Sequence, residues 1–246
     1  MIKRLEKIST GSYDLNKWLY GGYERGIITM IVGPPGSGKT NFVLLAAASQ
    51  AKKEKKVLFI DSEGGFSPDR IKQIGKEDYE KILKNIFLIE IRNFEEQKET
   101  IKSLEKQLQK NEFDLIVIDS MAMLYRLELA QASYEEKDKE KVKRINKDIV
   151  EQMKILSEIA RREKIAILIT NQVYQDFLSK EEIEKGVEKE TYIVGGDLFQ
   201  YWSKCIIELK NEKGKRKAFL LKHRSLPQKE ISFEIKNEGI IKRGWV

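Results

Sequence analysis

Short apolar runs rich in β-branched residues recur along the chain, and polar residues follow each of them. Runs of this kind are typical of strands buried on both faces of a parallel sheet. We predict four such strands, at residues 27–32, 56–61, 113–119 and 164–170. Their carboxyl ends would therefore lie along one edge of a common sheet.

Between these runs, apolar residues recur every three or four positions, which is the spacing of one face of a helix. Residues 41–50 and 94–109 are predicted helices, and Ile101, Leu104 and Leu108 share a face of the second. The same period runs through residues 134–162 and predicts one long amphipathic helix. Strands that alternate with helices indicate parallel crossovers, with helices on both faces of the sheet.

The pattern changes after residue 205. Three short apolar runs, at 205–210, 217–222 and 231–235, are separated by turn sequences with glycine, asparagine or proline. Such an arrangement predicts antiparallel strands. We therefore expect residues 1–246 to form a single α/β domain. Its central sheet would be mostly parallel, with helices on both faces and antiparallel strands at the C-terminal edge.

Composition adds weaker constraints. The formal net charge of +7 is compatible with a polyanionic partner, but 35% of the residues are charged, as on a solvated surface rich in ion pairs. The single cysteine, Cys205, excludes an internal disulfide. The charged N-terminus argues against a signal peptide, and no uncharged run is long enough for a membrane span. We expect a cytoplasmic protein without a membrane partner.

The segment after the first predicted strand carries the most specific motif. It reads Gly-Pro-Pro-Gly-Ser-Gly-Lys-Thr, which matches the phosphate-binding pattern G-x-x-x-x-G-K-[ST] between a strand and a helix. The glycines let backbone N–H groups approach phosphate oxygens, Lys39 would reach the β- and γ-phosphates, and Thr40 would bind Mg²⁺. A chance match is the alternative, which the flanking strand and helix disfavour. The predicted nucleotide-binding residues here are Gly33, Pro34, Pro35, Gly36, Ser37, Gly38, Lys39, Thr40 and Asn41.

Polar residues at the other strand ends extend this site, because ligands of open α/β sheets lie beyond the carboxyl ends of the strands. Asp119 would hold Mg²⁺ together with Thr40, although a strand-terminal Asp also caps chain segments. Glu63 is placed to orient or deprotonate an attacking water, although a lone carboxylate in a glycine-rich loop is a weak signal. Gln172, next to Asn171, offers an amide to a γ-phosphate.

Several segments in the same order resemble the ATPase core of RecA-type recombinases, and most closely the short archaeal paralogues of the recombinase RadA. The resemblance covers nearly the whole chain. Its segments are Ile-Ser-Thr-Gly-Ser-Tyr-Asp-Leu at 8–15, the phosphate loop, Val-Leu-Phe-Ile-Asp-Ser-Glu-Gly-Gly-Phe-Ser-Pro-Asp-Arg at 57–70, Ile-Thr-Asn-Gln-Val at 169–173, and Lys-His-Arg-Ser-Leu-Pro at 222–227.

The resemblance implies an ATP site with Mg²⁺. In it, Glu63 would activate the attacking water and Gln172 would sense the γ-phosphate. Arg70 would stack on the adenine, a role that suits its planar, weakly hydrated guanidinium; the alternative is a charge on a helix surface. Lys39, Glu63 and Gln172 are thus the expected catalytic residues.

The segment 222–227 falls where the family places a cap over the ATP of a neighbouring subunit. The cap residues would be Lys222, His223, Arg224 and Pro227. RadA-like proteins usually carry an acidic residue where Lys222 lies. A lysine there would compensate γ-phosphate charge across the subunit boundary, a role otherwise filled by a metal ion.

In the family, two loops bind single-stranded DNA, and the resemblance maps them to residues 120–134 and 173–194. Arg126 matches a basic residue of the first loop. In the second, acidic residues outnumber lysines, which disfavours phosphate contacts. Lys143 and Arg144 belong to a basic cluster in the long helix, which is either a DNA-facing patch or a solvated face. Three aromatic residues either stack on bases or pack within the protein: Tyr174, Tyr201 and Trp202.

The function implied is that of an ATP-binding, DNA-binding protein of homologous recombination and DNA repair, with weak or DNA-modulated ATPase activity. Only seven residues precede Ile8, so we expect no separate N-terminal DNA-binding domain and a role in assisting a RadA-type recombinase on single-stranded or branched DNA. Assembly into a homo-oligomer is left open. Two alternatives remain: an ATP-switched mediator without turnover, and a signalling ATPase similar to KaiC.

Overall fold

Twelve strands are formed by the residues that the computed structural model describes, which are 6–110, 112–135, 139–175, 191–212 and 214–244. Their bounds are β1 (Lys7–Ile8), β2 (Tyr23–Glu24), β3 (Ile28–Gly33), β4 (Lys56–Asp61), β5 (Ile86–Glu90), β6 (Phe113–Asp119), β7 (Ala166–Gln175), β8 (Thr191–Ile193), β9 (Ser203–Glu212), β10 (Lys215–His223), β11 (Lys229–Lys236) and β12 (Gly239–Lys242).

Ten of these strands form one sheet with the order β12-β11-β10-β9-β3-β7-β6-β4-β5, and β8 pairs with the end of β7. The six strands from β9 to β5 in this order are parallel, whereas β10, β11 and β12 follow β9 as antiparallel neighbours. The α/β class, the parallel centre and the antiparallel C-terminal edge are therefore confirmed. β1 and β2 form a separate two-stranded ribbon.

Helices cover both faces of the sheet. They are α1 (Tyr13–Trp18), α2 (Lys39–Ala51), α3 (Pro68–Gly75), α4 (Tyr79–Lys84), α5 (Phe94–Lys110), α6 (Met123–Glu135), α7 (Lys139–Glu163) and α8 (Asp197–Trp202). Side chains of a strand alternate between faces, and in β3 Ile31 packs with α1–α4 whereas Met30 and Val32 pack with α5–α8. The chain thus builds two hydrophobic cores on one sheet.

The helix predicted at 134–162 agrees with the described residues of that range, which are helical at 134–135 and at 139–162. α6 ends at Glu135 and α7 begins at Lys139; residues 136–138 lie outside the described part of the chain. Most of the segment predicted as the first DNA-binding loop is instead helix α6, because Leu124, Tyr125 and Ala132 are buried against the core beneath it.

Two other predicted segments also differ from the structure. β7 begins two residues later than expected and continues to Gln175, where β8 pairs with it antiparallel. The predicted second DNA-binding loop therefore has strands at both ends, whereas its central residues 176–190, with the acidic side chains, lie outside the described residues. β5 and β12 were not predicted. Both are short, and only their place beside β4 and β11 makes them strands.

Within the described residues, no helix is both long and apolar enough to cross a membrane.

Candidate functional site

The glycine-rich segment 33–40 forms a tight turn between β3 and α2. A side chain at Gly33 would lie 2.6 Å from Ser37 Oγ and 2.7 Å from the Leu209 carbonyl oxygen, so only glycine fits. Gly38 has a φ of 110°, a backbone conformation that favours glycine. It is the N-cap residue of α2, and because it has no side chain, no side-chain hydrogen bond caps the helix. The first N–H groups of α2 therefore remain available to an anion, which the helix dipole also attracts.

Lys39 is a buried cation at the start of α2, only 7% exposed. Its Nζ donates hydrogen bonds to the carbonyl oxygens of Gly33 (3.0 Å) and Pro34 (3.1 Å). No described carboxylate lies within ion-pair distance of it. Burial lowers the pKa of Lys39, while the charges of Glu63 and Asp119 raise it. A buried ammonium group that lacks an ion pair fits a site for an anionic ligand.

Asp119 and Thr40 present oxygens toward the same point. A side chain at Gly65 would lie 3.5 Å from both Asp119 Oδ2 and Thr40 Oγ1. Thr170 donates a hydrogen bond to Asp119 Oδ1, but Oδ2 is buried with no described hydrogen-bond partner. Burial raises the pKa of the Asp119 carboxyl, and the Thr170 and Thr40 hydroxyls lower it.

These two oxygens fit a small, hard cation. Mg²⁺ is usually held by one or two protein oxygens, with substrate phosphates and water as the remaining ligands. In the part of the chain that the structure describes, no cluster of three or more His, Cys, Asp and Glu could hold a metal by itself. An ion bound by Thr40 and Asp119 would therefore need phosphate and water ligands, as next to a nucleotide.

The loop after β4 holds Glu63 at the same edge of the sheet. Asp61 accepts hydrogen bonds from the backbone N–H groups of Glu63 (3.1 Å), Gly65 (3.2 Å) and Phe66 (2.8 Å). Glu63 is exposed, and its Oε1 accepts a hydrogen bond from Gln172 Nε2 at 3.1 Å. The structure therefore brings together Glu63 and Gln172, two predicted catalytic residues.

Asp61 had no predicted role in the site. An Asp followed by a glycine-rich turn is a known signal, because its carboxylate accepts hydrogen bonds from the backbone of the next few residues. Asn171, which was grouped with Gln172, has a different place. It is fully buried, and its side-chain amide donates to the Val194 carbonyl at 2.9 Å. Asn171 therefore fixes the end of β7, whereas Gln172 faces the site.

Arg70 and Asn41 lie side by side next to the start of α2. Arg70 Nε donates to Asn41 Oδ1 at 2.8 Å, and its two Nη atoms donate to the carbonyl oxygens of Lys236 (2.8 Å) and Asn237 (3.0 Å). The acceptors lie around the edge of the guanidinium, so they fix its plane. The predicted adenine-stacking group is thereby attached to the turn between β11 and β12.

The segment 222–227 lies at the other end of the sheet. His223 of β10 pairs with Cys205 of β9, and Cys205 pairs with Thr29 near the start of β3. The glycine-rich turn, in contrast, follows the end of β3. Lys222 Nζ donates to the Gln200 carbonyl at 2.7 Å. The predicted cap residues therefore lie far from the nucleotide-binding residues of their own chain.

Two cap residues face a buried carboxylate of the same chain. Arg224 Nε contacts Glu24 Oε2 at 2.5 Å, and His223 Nε2 lies 3.8 Å from Glu24 Oε1. The side chains of Glu24 and His223 are 1% and 2% exposed. His223 Nδ1 accepts hydrogen bonds from the N–H groups of Ser225 and Leu226. Pro227 is exposed at the end of this turn.

The residues predicted to contact DNA are exposed but lie in different places. Arg126, on α6, lines a cavity of about 350 Å³ together with Gln172. Arg144, on α7, lines a groove of about 530 Å³ with Lys98 and acidic side chains. Lys143 forms an ion pair with Glu140 at 2.9 Å on the same helix. The structure thus places Arg126, but not Arg144, beside a predicted catalytic residue.

The predicted aromatic residues form two pairs. Tyr174 stacks on Tyr192 at the end of β7, with ring centroids 5.5 Å apart. Tyr201 and Trp202 pack edge to face, and Tyr201 remains 68% exposed.

Comparison with known proteins places the chain among relatives of similar length. The Rad51 family model matches residues 2–243. The "DNA repair and recombination protein RadB" of Methanobrevibacter smithii is 43% identical over 240 residues, which cover 96% of this chain and 95% of the relative. The protein of the same name from Methanocaldococcus jannaschii is 39% identical over 226 residues, which cover 92% of this chain and 98% of the relative. That from Methanothermobacter thermautotrophicus is 36% identical over 235 residues, 93% of each.

Proposed function

The chain belongs to the Rad51 family, and from this premise we propose that it is an ATP-binding, DNA-binding protein of homologous recombination and DNA repair. We propose further that it is a weak or DNA-modulated ATPase and assists a RadA-type recombinase. The relatives carry names that refer to DNA repair and recombination. The observation that best supports ATP hydrolysis is the hydrogen bond between Glu63 and Gln172, at the same sheet edge as the buried Lys39.

Phosphate binding is assigned to the turn at 33–40. Its backbone N–H groups and the N-terminus of α2 bind phosphate oxygens, and Lys39 exchanges its bonds to Gly33 and Pro34 for bonds to phosphate. Thr40 and Asp119 would hold Mg²⁺, whose charge would offset that of the phosphates when it is bound. Arg70, with its guanidinium plane held by Asn41 and the β11–β12 turn, stacks on the adenine.

Hydrolysis is assigned to Glu63. Its carboxylate orients a water and accepts its proton, which requires an ionised side chain at a fixed position. Gln172 orients that carboxylate through the 3.1 Å hydrogen bond, and Asp61 fixes the backbone beneath it. Gln172 also senses the γ-phosphate, because the second hydrogen of its amide nitrogen is available to a phosphate oxygen while the first remains bonded to Glu63.

Comparing three proteins tests this assignment: the wild type, Lys39→Ala and Glu63→Gln. We expect Lys39→Ala to lose ATP affinity, and Glu63→Gln to keep it while phosphate release falls by about a hundredfold or more. ATP affinity would be measured by calorimetry and turnover by released phosphate. If neither change altered ATP binding, turnover, DNA affinity or stimulation of a recombinase, the catalytic role would be wrong. Phosphate incorporated into the protein itself would instead support the alternative of a signalling ATPase.

DNA binding is assigned to the surface around Arg126, with Lys143 and Arg144 as further phosphate contacts. Labelled single-stranded, duplex and branched DNA should be titrated with and without ATP while the number of subunits is measured. We expect the highest affinity for single-stranded or branched DNA, and a weaker, less salt-dependent affinity after Arg126→Ala. Absence of binding to all three DNAs, with or without ATP, would contradict the proposal.

The segment 222–227 is assigned as the cap of the ATP held by a neighbouring subunit. Its position, at the opposite end of the sheet from its own glycine-rich turn, is compatible with a contact across a subunit boundary. Lys222→Ala should then lower ATP affinity or turnover in the assembled or DNA-bound state, with no change in the monomer. Unchanged values in both states would refute the role.

A further inference from the structure

A basic groove lies on the antiparallel edge of the sheet, outside the site described above. It has a volume of about 750 Å³ and lies between α1 and strands β10, β11 and β12. Seven of the fifteen residues that line it are Lys or Arg, and two are acidic. The excess of five positive charges compares with a formal charge of +7 for the whole chain. The groove is therefore a concentrated region of positive charge.

Strand register puts three of these cations on one face. Arg216 pairs with Phe233, and Phe233 pairs with Lys242. The side chains of Arg216 and Lys242 therefore lie on the same face of the sheet as that of Phe233. Alternation along β11 adds Lys229 to that face. Ile231, on the same face, is buried and forms apolar lining between the charges.

Helix α1 supplies the opposite wall and is firmly attached to β12. Ser12, its N-cap, donates a hydrogen bond to the Ile240 carbonyl at 2.6 Å. Asp14 Oδ2 accepts a hydrogen bond from the Lys242 N–H at 2.6 Å. The separation between helix and strand is therefore set by the fold, and one of the two acidic groups at the groove is already bonded to the backbone.

In the described part of the chain, two of the seven cations are paired with carboxylates, and one of them is Arg243, which lies 3.7 Å from Glu234 outside the lining. Glu230, the other acidic residue, pairs with Lys217 at 3.0 Å. Lys17, Arg216 and Lys242 form no ion pair with any carboxylate of the described residues. In addition, Arg216 Nε is buried without a hydrogen-bond partner among those residues. Such groups favour an anionic ligand.

Aromatic rings accompany the cations. Tyr13 and Tyr20 are 80% and 72% exposed, the two highest values among the large hydrophobic side chains of the described residues. Trp18, between them, is buried, and Lys229 Nζ lies 4.2 Å from the centroid of the Tyr20 ring. The groove therefore offers two accessible rings beside several unpaired cations.

We propose that this groove binds single-stranded nucleic acid, with the backbone phosphates on Lys17, Arg216 and Lys242 and with bases stacked on Tyr13 and Tyr20. Cations that follow a backbone, together with aromatic rings that accept unpaired bases, are the usual composition of single-strand-binding surfaces. Duplex DNA would contact the cations but not the tyrosine rings, because its bases are already stacked on one another. An acidic peptide would likewise use the cations alone.

The groove is separate from the proposed ATP site, although β11 reaches both. Lys229, at the start of β11, lines the groove, whereas Lys236, at its end, accepts a hydrogen bond from Arg70. The lining residue of β11 nearest to Lys236 is Ser232, four residues away, or about 13 Å at 3.3 Å per residue. Changes in the groove can therefore be tested without altering nucleotide-binding residues.

The stacking part is tested by changing both exposed rings. Tyr13→Ala/Tyr20→Ala should weaken binding of a fluorescein-labelled 25-nucleotide oligo(dT) by about tenfold or more, measured by fluorescence anisotropy. Tyr13→Phe/Tyr20→Phe keeps the rings and should bind like the wild type. A duplex of the same length should bind both variants equally. If the alanine variant kept wild-type affinity for oligo(dT), the proposal would fail.

The electrostatic part is tested by the salt dependence of the same binding. Lys17→Gln/Lys242→Gln should lower the slope of log affinity against log salt by about 1.4, which is 0.7 for each phosphate contact of a single strand. Lys102→Gln/Lys106→Gln removes two exposed charges of α5 and should leave the slope unchanged. Equal effects of both pairs would mean a non-specific effect of net charge and would overturn the proposal.

Two further measurements separate this inference from the proposed function. In the Lys39→Ala background, without ATP, the groove variants should show the same losses, so a failed ATP assignment would leave this inference standing. A poly-glutamate peptide should compete more weakly than unlabelled oligo(dT) at equal charge concentration, and its competition should not respond to the tyrosine changes. Competition by that peptide, with the same sensitivity to the tyrosine changes, would identify an acidic protein partner and refute the nucleic-acid assignment.

Discussion

Gln172 Nε2 donates a hydrogen bond to Glu63 Oε1 over 3.1 Å, although 109 residues separate the two in the chain. The bond forms because β4 and β7 both end at the same edge of the sheet, on either side of β6. It leaves the Glu63 carboxylate exposed yet oriented, as a residue that acts on water requires.

Loss of the Gln172 amide should therefore affect turnover more than binding. We expect Gln172→Ala to lower ATP turnover by about tenfold or more, because Glu63 is no longer oriented, while ATP affinity changes much less. Phosphate release and calorimetric ATP titration measure the two effects. Gln109→Ala, at an exposed position of α5, is the matched control. Equal turnover of the two variants would argue against an orienting role.

Asp61 should affect ATP turnover because it holds the backbone of Glu63 in place. Asp61→Asn keeps one acceptor oxygen and turns its N–H₂ group either toward the N–H of Phe66 or toward those of Glu63 and Gly65. The free energy of unfolding should fall by about 2 kcal/mol. Turnover should fall as well, because the backbone of Glu63 is displaced. Asp78→Asn removes a carboxylate from an exposed ion pair and should change the unfolding free energy much less than Asp61→Asn. A turnover unchanged by Asp61→Asn would separate this turn from catalysis.

Arg224 should be required for stability through Glu24. Arg224→Ala leaves the Glu24 carboxylate, 1% exposed, without its closest cation, and should cost about 3 kcal/mol of unfolding free energy. Removing both charges in Glu24→Gln/Arg224→Ala should cost less than Arg224→Ala alone. Urea unfolding of the single and double variants measures the coupling. Additive costs would mean that the two side chains do not interact.

His223 should make stability depend on pH near neutrality. Burial lowers its pKa, the charge of Glu24 opposes that effect, and the charges of Lys7, Arg224 and Lys229 add to it.

Because the unfolded chain then binds a proton at higher pH than the folded one, unfolding free energy should be constant above about pH 7. It should decline as the pH falls below about 6.5, by at most about 1.4 kcal/mol per pH unit. His223 is the only histidine. His223→Asn, which retains an acceptor for the backbone, should therefore flatten the profile between pH 5.5 and 7.5, as measured by urea unfolding. A persistent slope in that variant would assign the dependence to another group.

Much of the architecture follows from the sequence, because its signals are local. The strands at 56–61 and 113–119 have the predicted bounds, since a continuous apolar run between polar residues specifies a buried strand. The glycine-rich turn lies between β3 and α2 as expected, because only that backbone path avoids the contacts at Gly33. Residues 123–133, by contrast, were predicted as part of a loop but belong to helix α6, because their burial depends on the core beneath them.

What the sequence by itself determined is therefore the set of elements and the polar residues at their ends. Only the tertiary structure decided which of these residues meet. The support of Glu63 by Gln172 and Asp61, the attachment of Arg70 to the β11–β12 turn, and the joining of α1 to β12 around a basic groove all depend on sheet order and register. The physical reason is that periodicity reports how a segment is buried, whereas contacts between distant segments result from packing of the whole chain.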